Sequence, residues 1–180
     1  MRVLGLDPGS RRTGYGVVEA HGNAYRCLSH GPIVPGARLE MPQRLETIAA
    51  RVDELITLHA PDCVCIEEAF YHESVRSTLV LGHVRGALML AAVRRGVEIA
   101  EYSPREIKMS VAGNGGASKE QVQFMVKRLL ALAADPQADA ADALAAALCH
   151  LHRVRRSVPA RGASSAASQL AALLARARPR

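Results

Sequence analysis

The chain alternates between short apolar runs and longer stretches with helical spacing. Apolar runs at residues 2–7, 13–18 and 25–33 predict three strands, and the turn Pro8-Gly9-Ser10 separates the first two. Because no helical pattern lies between these three runs, we expect them to form an antiparallel meander. Two further strands are predicted at Cys63–Glu67 and Val97–Tyr102.

Helical periodicity occupies much of the rest of the chain. Apolar positions recur every three or four residues from Leu45 to Ile56 and from Val75 to Arg95, and the second of these helices is apolar on nearly every side, which predicts burial. Pro104 is placed to open a short helix, Ser118 is placed to cap another, and a last helix spans residues 138–152. The pattern predicts an α/β fold with a mixed sheet, antiparallel first and then parallel, flanked by helices.

Length and charge divide the chain into two parts. At 180 residues it can form one domain, which we place at residues 1–156, followed by a basic, mobile tail at residues 157–180. The formal charge of +6 is unevenly distributed, since residues 143–180 contain seven arginines and no acidic residue. Residues 1–142 therefore hold 16 basic and 17 acidic groups, so a nucleic-acid surface on the domain must be a local patch.

Cysteine spacing and hydropathy indicate the cellular context. Cys27, Cys63, Cys65 and Cys149 lack the spacing of a metal finger, which favours buried free thiols. The N-terminus does not resemble a signal peptide, and no uncharged apolar stretch reaches the roughly 18 residues of a membrane span. We therefore expect a cytoplasmic protein that does not bind a membrane.

Four acidic residues stand at the edges of apolar segments. Asp7 and Glu67 each close a predicted strand, and Asp139 and Asp142 lie three apart on one face of the last helix. Carboxylates that converge repel one another unless cations lie between them, and Mg²⁺ or Mn²⁺ suits such oxygen ligands. Singly, Asp7 is better explained as a turn residue, and the helical pair as charges at a helix N-terminus. Together they point to metal-dependent phosphodiester chemistry.

Five ordered motifs carry a resemblance to a known family. They are GLDPGSRRTGYG at residues 5–16, IEEAF at 66–70, LGHVRG at 81–86, GNGGASKEQV at 113–122 and DPQADAADAL at 135–144. In order and spacing they resemble RuvC-type Holliday junction resolvases. The resemblance implies a ribonuclease H-like fold, a homodimer, and resolution of four-way DNA junctions by paired symmetric nicks in recombination and repair. It also implies two Mg²⁺ ions per active site, with Mn²⁺ as a substitute, and a branch-migration complex as partner.

The resemblance also assigns roles to residues. The family's four acidic positions fall on Asp7, Glu67, Asp139 and Asp142, its phosphate-contacting lysines on Lys108 and Lys119, and its aromatic wedge on Phe70. Strand alternation leaves either Phe70 or Tyr71 available to meet the DNA. Further candidates for phosphate contacts are Arg11, Arg12, Arg76 and Arg85.

Several alternatives stay open at this point. Asp7-Pro8-Gly9-Ser10 also resembles the first phosphate loop of actin-like kinases, although the chain is too short for their two domains. A nuclease of the same fold that acts on RNA or on other branched DNA is a closer rival, and a non-catalytic junction-binding module is a third. Gly82 and Gly86 lie four apart on one helix and permit close approach of another helix, either inside the subunit, which the sequence slightly favours, or across a two-fold axis.

Overall fold

Ten elements build the fold in this computed structural model, which describes residues 1–22, 24–68 and 74–157. The strands are β1 (Arg2–Asp7), β2 (Thr13–His21), β3 (Ala24–Ile33), β4 (Cys63–Glu67) and β5 (Glu98–Tyr102). The helices are α1 (Met41–His59), α2 (Val75–Arg94), α3 (Pro104–Ala112), α4 (Lys119–Leu129) and α5 (Ala138–Ser157). The order of elements agrees with the prediction, and the bounds differ by a few residues.

The five strands form one sheet in the order β3-β2-β1-β4-β5. The β1–β2 and β2–β3 pairs are antiparallel, whereas the β1–β4 and β4–β5 pairs are parallel. The short links between the first three strands allow only a meander, while α1 and α2 provide the long connections that parallel pairing needs. The predicted mixed sheet is therefore confirmed.

Two hydrophobic layers cover the sheet. On one face α3, α4 and α5 bury residues such as Val111, Val126 and Leu148. On the other face α1 and α2 bury residues such as Ile48, Val52 and Leu88. Both layers contact β1, the central strand of the sheet, whose Val3, Leu4 and Leu6 are fully buried.

Helix α5 lies unusually close to the sheet because glycine and alanine face each other there. A Cβ atom added to Gly5 would lie 1.9 Å from the carbonyl oxygen of Ala143, and one added to Gly14 would lie 1.9 Å from that of Asp139. Gly16 pairs with Gly5 across the sheet and meets Leu144. Glycines spaced two apart in a strand mark such an approach. This contact fixes the height of α5 above β1 and β2.

The predicted burial of α2 is wrong. Only Val84, Leu88, Ala91 and Ala92 are buried in this helix, and four of its large apolar side chains are exposed. The exposed side chains are those of Val75, Leu79, Leu90 and Val93. A Cβ atom added to Gly82 or Gly86 would meet nothing within 4 Å, so no internal helix packs against the two glycines in the part of the chain that the structure describes.

The predicted free thiols are confirmed, although one of the four is only half-buried. All four cysteines are free; Cys63, Cys65 and Cys149 are buried, and Cys27 is half-buried. None of the helices within residues 1–22, 24–68 and 74–157 is long and apolar enough to cross a membrane.

Candidate active site

Strand register brings Asp7 and Glu67 together. Parallel pairing sets Leu6 of β1 beside Ile66 of β4, so the next residues, Asp7 and Glu67, leave adjacent strands at the same edge. Both strands are buried up to this point, and both carboxylates are half-buried. The prediction that each ends its strand is confirmed.

The other two carboxylates, Asp139 and Asp142, lie in the first turns of helix α5 at the same edge. Asp7 pairs with Gly14 across the antiparallel ladder, and Gly14 lies against the backbone of Asp139 in the first turn of α5. Asp142 follows three residues later on the same side of the helix. The close approach at Gly14 therefore sets the distance between the start of α5 and the end of β1.

Helices α3 and α4, both capped at their N-termini, each place one lysine at this edge. Ser118 caps α4 as predicted: its side chain accepts from the amide of Gln121 at 3.3 Å, and its own amide donates to the Gln121 side chain at 2.9 Å. Lys119 is the first residue of that helix. The same reciprocal pattern between Ser103 and Glu106 opens α3, which carries Lys108.

All six of these residues line one cavity of about 260 Å³. Its walls are formed by Asp7, Glu67, Asp139, Asp142, Lys108 and Lys119, together with Pro104, Ile107 and Val122. A larger cavity of about 460 Å³ lies between α1 and α2, but its lining is mainly apolar and includes none of the four carboxylates. The chemistry of the lining, rather than volume, identifies the smaller cavity as the candidate site.

Burial and mutual repulsion disfavour the ionised carboxylates. Burial, reinforced by the charges of Glu67, Asp142 and Asp139, raises the pKa of Asp7 to about 8. Burial and the charge of Asp142 raise the pKa of Glu67 to about 7. Burial also raises the pKa of Asp142, while Lys119 and Lys108 act in the opposite direction. The two ammonium groups thus only partly compensate the negative charge.

The donor set fits divalent cations. Four carboxylates provide oxygen ligands alone, as Mg²⁺ and Mn²⁺ prefer, and a cation between them would remove the repulsion that raises these pKa values. Within the described parts of the chain, no three His, Cys, Asp or Glu side chains already surround one point closely enough to hold an ion. Carboxylates that repel one another are expected to stand apart, so a cation would have to draw these side chains inward.

The predicted arginines have different surroundings. Arg12 lies beside Asp139, with 3.4 Å between Nε and Oδ2, and Arg85 forms an ion pair with Glu101 of β5. Arg76 lines a separate cavity of about 310 Å³ with Ser10 and Ser77, next to the loop that follows β1. Arg11 is exposed in that loop.

Some predicted residues cannot be placed, and some important ones were missed. Phe70, Tyr71 and residues 158–180 lie outside the described residues, so the aromatic wedge and the tail stay predictions. Sequence reasoning overlooked the role of Gly5 and Gly14 as contact points for α5, although their placement inside strands is a recognisable signal. It also overlooked the Arg12–Asp139 pair, for which the sequence offers no signal.

Comparison with known proteins gives a consistent result. Residues 3–150 match the family described as crossover junction endodeoxyribonuclease RuvC. A protein of that name from Acinetobacter baylyi is 48% identical over 150 residues, which cover 83% of this chain and 82% of the relative. Another from Janthinobacterium sp. (strain Marseille) is 48% identical over 153 residues and 84% of each chain.

Solved structures agree with the sequence relatives. The structure of Thermus thermophilus RuvC in complex with a Holliday junction substrate superposes with a TM-score of 0.82 at 34% identity, covering 87% of this chain and 96% of that one. The yeast mitochondrial Holliday junction resolvase Ydc2 superposes with a TM-score of 0.59 at 12% identity, covering 83% and 78% of the chains. At that identity the second likeness concerns the fold alone.

Proposed function

The chain belongs to the RuvC family of crossover junction endodeoxyribonucleases, and on this premise we propose that it resolves four-way DNA junctions by paired nicks during recombination and repair. The observation that carries the proposal is the convergence of four carboxylates and two lysines, brought from five separate elements into one cavity. Such a lining suits hydrolysis of a phosphodiester, which needs ligands for cations and positive groups for the phosphate.

A cleavage assay tests this function directly. We expect the protein to nick a synthetic four-way junction in strands of like polarity when Mg²⁺ or Mn²⁺ is present, and to leave it intact in EDTA. A linear duplex of matched sequence serves as control and should stay uncut. Junction binding without cutting in either metal would contradict the proposal and favour the non-catalytic junction-binding module.

We assign the four carboxylates as ligands of two Mg²⁺ ions, with Mn²⁺ as a functional substitute. The chemistry that such ions would supply is activation of the attacking water and neutralisation of charge on the leaving oxygen. Asp7 is the central ligand because it lies between Glu67 on β4 and the Asp139–Asp142 pair on α5. Val122, Ile107 and Pro104 form an apolar wall beside these carboxylates and limit the access of bulk water.

Lys119 and Lys108 are assigned to the DNA phosphates. Lys119 combines an ammonium group with the N-terminus of α4, where amide groups favour an anion. Arg11 and Arg76 extend this positive surface along the loop after β1 and the start of α2, and we assign them to phosphates farther from the cleaved bond. The aromatic wedge is assigned to Phe70, with Tyr71 as the alternative.

Replacing Lys119 should change how salt affects junction binding. Lys119→Ala removes about one phosphate contact, so the slope of log K against log salt concentration should become shallower by about 1. Lys127→Ala is the matched control, because Lys127 pairs with Asp135 at 2.9 Å and does not line the cavity. Binding titrations at several salt concentrations provide the measurement. A slope equal to that of the control would exclude a phosphate contact by Lys119.

The exposed stripe on α2 is assigned to a homodimer interface. Its members are Val75, Leu79, Gly82, Gly86, Leu90 and Val93. They recur every three or four residues, and the open glycines at the centre allow a second helix to approach closely. Self-association through one helix face generates a two-fold axis, which suits the symmetry of two paired nicks.

A charge placed in the α2 stripe should separate the subunits. Leu79 is 61% exposed in one chain, and Leu79→Arg should raise the dimer Kd by at least about tenfold, since a desolvated charge would face its symmetry mate. Leu58→Arg on α1, where the leucine is 72% exposed, is the matched control and should leave the dimer intact. Analytical ultracentrifugation measures both. An unchanged Kd for Leu79→Arg would place the interface elsewhere.

Three further assignments complete the proposal. A branch-migration complex is the proposed partner, because resolution must act on a junction that has been moved into position. The bacterial relatives suggest the cytoplasm, where the chromosome lies, as the compartment. The nuclease domain at residues 1–156 is proposed to act without a catalytic contribution from the tail at 157–180.

A further inference from the structure

One member of the carboxylate cluster already has a cationic partner. Arg12 Nε lies 3.4 Å from Asp139 Oδ2, and the two side chains are 51% and 33% exposed. Among the described residues, no ion pair within 4 Å engages Asp7, Glu67 or Asp142. Asp139 therefore differs from the other three carboxylates, because a guanidinium belonging to the protein lies beside it.

The backbone holds Arg12 next to Asp139. Thr13 is fully buried, and its hydroxyl donates to the carbonyl of Gly9 at 2.8 Å, which closes the loop that carries Arg12. A Cβ atom on Gly9 would lie 2.1 Å from the carbonyl oxygen of Arg12, so the loop is tightly folded on itself. Two residues after Arg12, Gly14 touches the backbone of Asp139. The two residues are thus neighbours because of the fold.

Arg12 and a divalent cation compete for Asp139. The positive charge of the guanidinium offsets part of the negative charge that attracts a metal ion to the carboxylate, and it repels the ion directly. A DNA phosphate is an equally good acceptor for the same guanidinium. The pair is partly exposed and held by a single contact, so it is weak enough to be exchanged when DNA arrives.

We propose that Arg12 is a positioning residue that pairs with Asp139 in the DNA-free protein and thereby weakens the binding of a divalent cation to that carboxylate. When a junction binds, the Arg12 guanidinium contacts a DNA phosphate instead, and Asp139 is released. This inference rests on the proposed function, because it assumes that Asp139 is a metal ligand of a DNA-cleaving enzyme. With this arrangement, Asp139 becomes fully available to a metal ion mainly when the protein is bound to DNA. The role of Arg12 then differs from that of Arg11, which only adds positive charge.

Manganese binding without DNA tests this role separately from cleavage. Free Mn²⁺ is measured by electron paramagnetic resonance during titration of the full-length protein. Arg12→Gln should bind Mn²⁺ about threefold to tenfold more tightly than the unmodified protein, as expected for loss of one weak ion pair and one repelling charge. Arg11→Gln removes the same formal charge one residue away and should change the affinity by less than about twofold.

A double-mutant cycle isolates the pair. In an Asp139→Asn background, Arg12→Gln should no longer tighten Mn²⁺ binding, because the contested carboxylate is gone. Equal effects of Arg12→Gln and Arg11→Gln, or an Arg12→Gln effect that persists in Asp139→Asn, would overturn the inference and leave the cleavage proposal intact. Absence of Mn²⁺ binding in every variant would instead overturn the metal site itself. Circular dichroism of each variant in EDTA verifies that it is folded.

Discussion

Asp7→Asn is expected to reduce junction cleavage by at least about 10³-fold while junction binding is kept or strengthened. Asp7 lies between Glu67 and the two aspartates of α5, so the substitution removes the carboxylate that we propose as the central metal ligand. Stabilisation by metal ions is worth several kcal/mol in such reactions, which corresponds to this loss in rate. Binding should survive because the variant carries one negative charge fewer beside the DNA phosphates.

The control for this variant is another aspartate near the same helix. Asp135 precedes Asp139 by four residues, pairs with Lys127 and does not line the cavity. Asp135→Asn should therefore cut junctions at nearly the rate of the unmodified protein. Single-turnover cleavage and a binding titration in Ca²⁺ would be measured on both variants. Cleavage by Asp7→Asn at the rate of the unmodified protein would show that Asp7 is not a metal ligand.

The same substitution should stabilise the metal-free protein at neutral to alkaline pH. The pKa of Asp7 is raised from an ordinary 3.8 to about 8, so within that window the folded protein holds a proton that the unfolded chain has released. Stability in EDTA should therefore fall as the pH rises from about 4 to 8, and Asp7→Asn should flatten this fall. At pH 8 we expect a gain on the order of 2 kcal/mol, or about 4–8 °C in Tm.

Thermal unfolding in EDTA at pH 5 and pH 8 measures this effect. Added Mg²⁺ should reduce the difference in Tm between Asp7→Asn and the unmodified protein at pH 8, because the cation stabilises the unmodified carboxylate cluster more than that of the variant. A variant that is less stable than the unmodified protein at pH 8 in EDTA would show that Asp7 is not repelled by its neighbours.

Gly14→Ala is expected to damage both the fold and the active site. The added methyl group would lie 1.9 Å from the carbonyl oxygen of Asp139 and 2.4 Å from its carbonyl carbon, so α5 must move away from β2. Because backbone atoms cannot rotate aside as a flexible side chain can, we expect a loss of at least about 3 kcal/mol in the free energy of unfolding. The displaced helix carries Asp139 and Asp142 with it, and a shift near 1 Å lowers the cleavage rate by about 10²-fold.

Gly31→Ala separates this effect from the general cost of changing a strand glycine. Gly31 lies in β3 of the same antiparallel meander, and an added Cβ would meet the Tyr15 ring at 3.4 Å, an ordinary contact. The free energy of unfolding of that variant should differ from that of the unmodified protein by no more than about 1 kcal/mol, and the variant should still cleave junctions. Chemical denaturation and the cleavage assay are the measurements. If Gly14→Ala behaved like Gly31→Ala, the contact between α5 and β2 would not set the geometry of the site.

Local pattern was enough to predict the elements and the four carboxylates. Strand–turn–strand spacing before residue 34 predicted the meander, and Asp7 and Glu67 were recognised because each ends a buried run. Ser118 was predicted as a cap because a serine before a helical period satisfies free amides. These inferences succeed because hydrogen-bonding geometry and side-chain period act over a few residues.

Apolar content alone misled the interpretation of α2. The helix is apolar on nearly every side, yet it contacts the rest of the subunit through one face and leaves Val75, Leu79, Leu90 and Val93 exposed. Periodicity reports how hydrophobic each face is, but not how many faces the fold covers. The same limit applies to Gly82 and Gly86, whose internal packing was the slightly favoured alternative and whose surroundings are open.

Residue types and their order along the chain thus establish the α/β class, the carboxylate set and the kind of cation it suits, because these depend on local periodicity and ligand chemistry. Contacts between residues more than a hundred positions apart required the folded chain. The approach of Gly14 to Asp139 and the Arg12–Asp139 ion pair are of this kind. Each depends on how closely α5 approaches β1 and β2, and that distance arises from packing across the whole sheet rather than from any one segment.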